Sequence, residues 1–164
     1  MSLPKTVIAS FVLAVALAPA ASADLSRHDP NDVPMRLDLR RISSTTYPTD
    51  DGWIGMSIRL YRGVPWNQDP RIVVFYDAFG SPRADFAVRF AFYEPGMVGC
   101  RLFRLGNGRL VYFGEVDEDW REYYCEFPRR PGMRSHSGIR WRVSAVTPGV
   151  GRDFAPDAGW YPHV

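Results

Sequence analysis

Apolar and polar residues alternate with period two along much of the chain. In "WIGMSIRLY" (53–61), Ile54, Met56, Ile58 and Leu60 fall on one side, and Trp53, Ser57, Arg59 and Tyr61 on the other. A period of two with one apolar side predicts a half-buried strand. "DFAVRFAFYE" (85–94) repeats the pattern with Phe86, Val88, Phe90 and Phe92 inward, and "GIRWRVSAV" (138–146) with Ile139, Trp141, Val143 and Ala145. "RIVVFYD" (71–77) is apolar on both sides and predicts a central strand. Further strands are predicted at 37–42, 97–105, 109–116 and 123–127, with "GNG" (106–108) turning one into the next. No stretch has a clear helical period. About eight strands with short links predict an all-β fold, a single antiparallel β-sandwich of immunoglobulin-like or jelly-roll-like type. The dozen residues from Asp24 read as an irregular lead-in. The last dozen read as an ordered tail, because Phe154, Trp160 and Tyr161 favour burial.

The first 23 residues break this pattern. Lys5 precedes an apolar run from Val7 to Leu17, Pro19 ends it, and "ASA" stands before Asp24. This is the form of a signal peptide cleaved near Ala23. The run is too short to span a bilayer, which takes about 20 apolar residues. The expected product is one secreted, extracellular domain of residues 24–164, with no membrane insertion of the mature chain.

Charge narrows the partners. Lys5 is the only lysine, so beyond Ala23 the chain sets 19 Arg against 18 Asp+Glu, a net charge of +1. That balance does not fit a nucleic-acid binder. Cys100 and Cys125 are the only cysteines, and an even pair in an exported chain predicts one disulfide.

Catalytic signatures are missing. The histidines are His28, His136 and His163, and no GxSxG, HExxH or GxxxxGK run occurs. His136, in "SHSG", reads as a loop residue. The densest acidic stretch, "GEVDEDWREYYCE" (114–126), offers paired carboxylates of the kind used in glycoside hydrolysis, although a charged turn has the same composition. Trp53, Arg59 and Tyr61 share the polar side of their strand, and Trp66 and Trp120 lie in loops. Together they are candidates for binding a carbohydrate or a protein. No cofactor is expected from motifs, and Ca²⁺ is the one ion suggested. Asp29 and Asp32 in "DPND" and Asp153 and Asp157 in "DFAPD" would supply oxygen ligands if the two ends of the domain met.

Five segments, "DPNDVPMRLDLRRIS", "IRLYRGVPW", "FYDAFGSPRADFAVRF", "IRWRVSAV" and "DFAPDAGWYPH", together resemble a group of uncharacterised secreted domains common in actinobacteria. The resemblance covers most of residues 29–163. It implies a β-sandwich and no known activity. Relatives often carry a D-x-D-x-D-G run at the central hairpin, where this chain has Phe79 and Ser81 after Asp77. The hairpin is therefore expected to be a plain turn, with Asp77 accepting backbone N–H bonds. The expected function is that of a non-enzymatic extracellular binding module. The alternatives are a glycosidase-like hydrolase using the 115–126 carboxylates and a structural envelope protein without a ligand.

Overall fold

The computed structural model describes residues 25–33, 37–46, 52–119, 121–134 and 138–162. The expected signal segment, Trp120, His136 and His163 lie outside them. The strands are β1 (Leu25–His28), β2 (Leu39–Thr46), β3 (Trp53–Leu60), β4 (Arg71–Asp77), β5 (Phe86–Glu94), β6 (Met97–Arg104), β7 (Arg109–Asp119), β8 (Glu122–Pro128), β9 (Arg140–Thr147), β10 (Gly151–Ala155) and β11 (Tyr161–Pro162). A 3-10 turn at Trp66–Gln68 precedes β4. Among the described residues no helix is long and apolar enough to cross a membrane.

All pairings are antiparallel, in the order β1-β2-β3-β8-β7-β6-β5-β4-β9-β10, with β11 also on β9. The all-β expectation holds. The architecture is one continuous sheet curled into a half-barrel rather than a sandwich, and the described residues form eleven strands where about eight were expected. The additional strands are short. β1 lies in the stretch read as irregular, and β10 and β11 lie in the tail.

The curl follows from β7. Its first half pairs with β6 up to Gly99–Glu115, and its second half pairs with β8 from Val116–Cys125. A register shift between Leu102 and Phe103 marks a bulge on the way, which raises local twist. Cys100 on β6 and Cys125 on β8 join across the inside of this corner, with Cα atoms 6.3 Å apart. Gly114 lies opposite Cys100, and a Cβ there would come within 3.1 Å of the Cys100 Sγ. The corner thus needs glycine where the disulfide passes.

The inward rows of β3, β4, β5, β8 and β9 form one apolar core containing Ile54, Met56, Ile58, Val74, Val88, Trp141 and Val143. Rings from the two arms of the curl meet inside it. Tyr76 packs edge-on to Phe127 at 5.3 Å, and Phe92 to Tyr123 at 5.4 Å. Closure brings β10 into contact with β2, so strands from opposite ends of the chain become neighbours.

Replacing both cysteines by alanine is expected to lower stability by about 3 kcal/mol, the loop-closure value for a 25-residue separation. Thermal denaturation should show a fall in Tm of about 10 °C. A change within error would remove the corner crosslink from the forces that hold the curl.

Candidate functional site

Acidic residues gather where β2 meets β10. Asp29 follows β1, and its N–H donates to the Arg40 carbonyl at 3.1 Å. Asp38 stands just before β2, and its carbonyl accepts the Tyr61 N–H at 3.0 Å. The Tyr61 hydroxyl donates to the Asp29 carbonyl at 3.0 Å. From the other end of the chain, Asp153 on β10 accepts the Leu39 N–H on Oδ2 at 2.8 Å. One carboxylate oxygen each from Asp29, Asp32 and Asp38 lies within 4.8 Å of the others. Asp29 and Asp38 are buried, whereas Asp32 is exposed. Among the described residues, both carboxylate oxygens of Asp38, and Oδ2 of Asp29, are buried without a hydrogen-bond partner.

Burial, and then the neighbouring charges, raise the pKa values. Asp29 is pushed up to about 7, first by burial and then by the charges of Asp153, Asp32, Asp157 and Asp38. Asp153 is pushed up to about 6 by burial, against which the Leu39 N–H works. Asp38 is raised by burial and by Asp32, with Arg62 opposing. The four acids singled out in the sequence therefore share one electrostatic neighbourhood. The residue that sequence reasoning missed is Asp38. In "LDL" it reads as the solvent-facing member of an alternating strand. A donor set made only of carboxylate oxygens has the chemistry of a hard-cation site.

The aromatic candidates separate. Trp53 and Tyr61 lie eight positions apart along an extended chain, about 25 Å at strand rise. Tyr61 belongs with the acids. Trp66 is half-buried, edge-on to Phe92 at 5.7 Å. Arg59 pairs in register between Arg41 and Glu122. Trp53 instead lines a groove of about 330 Å³ with Tyr112, Glu115, Asp117, Tyr124 and Glu126. Its ring meets Tyr112 edge-on at 6.0 Å. The Tyr124 ring lies over Gly55, where a Cβ would come within 2.5 Å of its hydroxyl. That hydroxyl donates to Glu126 Oε1 at 2.6 Å. The groove thus combines three rings with three carboxylates, two from β7 and one from the facing β8. It joins the sequence's Trp53 to its 115–126 acids, two features that had been read apart.

The central hairpin is a braced turn, as expected. Asp77 Oδ1 accepts the Gly80 N–H at 2.6 Å, and Asp85 Oδ2 accepts the Ala78 and Phe79 N–H groups at 2.9 Å each. Arg140 closes on Asp77 Oδ2 through Nε at 2.9 Å and through Nη2. These carboxylates are occupied by the turn itself.

The acidic seam makes stability depend on pH. Asp29 and Asp153 titrate at about 7 and about 6 in the folded protein, above the ordinary 3.8. The folded state therefore binds more protons than the unfolded chain in that interval. The stabilisation is full below pH 3.8 and is lost as pH rises through the folded values. With chelator present, Tm is expected to fall as pH is raised from about 5 to about 8, and Asp38→Asn should flatten that fall. A slope equal in wild type and variant would contradict this. Comparison with family models, with curated proteins and with solved structures finds no match for this chain.

Proposed function

We propose that the protein is an exported, non-enzymatic binding domain that takes a saccharide in the groove beside Trp53. The observation that carries this reading is the composition of the groove, which is lined by Trp53, Tyr112 and Tyr124 together with Glu115, Asp117 and Glu126. Aromatic rings present a flat apolar face to the C–H face of a sugar ring, and carboxylates accept its hydroxyl hydrogens. Three acids favour a neutral or amino sugar and repel an anionic one. Tyr124 is held by Glu126 and by the glycine beneath it, so part of the surface is set before binding. Export rests on the signal-peptide pattern of the first 23 residues.

A second reading, glycoside hydrolysis, draws on Glu115 and Asp117 on β7 facing Glu126 on β8 in the same groove. A glycan array followed by titration calorimetry separates the two. Binding of a neutral or amino glycan without release of reducing ends is expected. Trp53→Ala should weaken it about tenfold or more. Hydrolysis abolished in both Glu115→Gln and Glu126→Gln would transfer the assignment to the enzyme. An array with no bound glycan, or unchanged affinity in Trp53→Ala, would remove the saccharide reading.

A further inference from the structure

We propose that Asp29, Asp32 and Asp38 form a Ca²⁺ site in the β1–β2 connection, beside Asp153 of the closing strand β10. The site is independent of the Trp53 groove. Its first support is convergence. Three carboxylates meet within 4.8 Å, from the beginning, middle and end of the β1–β2 connection. Asp153 comes alongside from β10, where it accepts the N–H of Leu39, the residue after Asp38.

The second support is what these groups lack. Asp38 has 0% exposure, and among the described residues neither of its carboxylate oxygens meets a donor. Asp29 has 4% exposure, and its Oδ2 is equally without one. Folds resolve buried carboxylates by pairing them, by hydrogen-bonding them or by giving them a metal. Arg62 is the cation whose charge opposes the raised pKa of Asp38. It is exposed and bonds to neither oxygen. Asp38 is thus a buried anion aimed at two further carboxylates, which is the arrangement a cation would complete.

The donor chemistry selects the ion. Among the described residues every converging group is a carboxylate, with no nitrogen or sulfur, which disfavours Zn²⁺. Ca²⁺ accepts six to eight oxygens in irregular geometry, including bidentate carboxylates, whereas Mg²⁺ demands a near-ideal octahedron. Carboxylates spaced along one irregular connection suit the first. Asp32 is exposed, so the ion has a route in, and water can fill the remaining positions.

The test uses the protein with its disulfide intact. After treatment with EDTA, Tm is followed against added CaCl₂ or MgCl₂. Terbium luminescence is read in parallel, sensitised by Tyr61, whose hydroxyl is bonded to the Asp29 carbonyl. The expected result is a saturable rise in Tm of about 5 °C or more at about 10 mM Ca²⁺, with a smaller response to Mg²⁺. Asp32→Asn, at an exposed position, should weaken the response about tenfold while leaving the fold intact. Asp38→Asn should abolish it, with a Tm in EDTA at or above that of wild type. Trp53→Ala should respond to Ca²⁺ as wild type does. No shift in Tm and no terbium signal would overturn the site, and so would an undiminished response in Asp38→Asn. An equal response to Mg²⁺ would overturn the assignment to Ca²⁺.

Discussion

Strand β7 keeps no single partner along its length, and the rest of the molecule depends on that. Its first half completes the ladder with β6 and its second half the ladder with β8. A flat sheet of this many strands would leave one face of every inward row in water. By changing partners at Glu115 and Val116, β7 turns the sheet back on itself and lets Phe127 and Tyr123 cover Tyr76 and Phe92. The disulfide and Gly114 sit at the inside of this turn, where β6 and β8 come within bridging distance.

Both candidate sites are products of the same bend. On one side, the corner brings Tyr112, Glu115 and Asp117 toward Trp53, Tyr124 and Glu126. At the far ends of the curl, β2 and β10 approach, and there the chain places carboxylates. The two regions differ in kind. The groove is open and partly apolar, and its tyrosines are braced. The seam is buried, acidic and short of donors.

Local pattern carried most of the strands. β3, β4, β5 and β9 lie where period-two alternation or two-sided apolarity placed them, because the pleat puts every second residue on one face. β1, β10 and β11 were not legible, since "LSRH" and "GRDFA" have little alternation and form strands by pairing with β2 and β9. The sandwich expectation fell short for a related reason. Alternation states that a strand has an inner face, and does not state whether that face meets a second sheet or the far part of its own. Asp29, Asp32, Asp153 and Asp157 could be proposed as neighbours because they flank the two ends of the domain. Asp38 could not, because its burial depends on how β2 sits against β10. Trp53 and Tyr61 have the same parity in the sequence, yet Trp53 opens β3 and Tyr61 lies just past its end, so they serve different sites.

The pairing order also has a kinetic side. β4 through β8 are joined by consecutive hairpins, so each finds its neighbour within a short stretch of chain. β3 with β8 and β4 with β9 must close far longer loops, and the approach of β2 to β10 spans nearly the whole domain. Because closing a loop costs more entropy as it lengthens, assembly is favoured from the middle outward. In the oxidised chain, Cys100 and Cys125 already hold the ends of the β6–β8 unit together, so the corner can serve as a nucleus. The acidic seam is then the last contact to form and the first to open. Strain, ligands or neighbouring molecules acting on that junction can part the ends of the sheet without disturbing its centre.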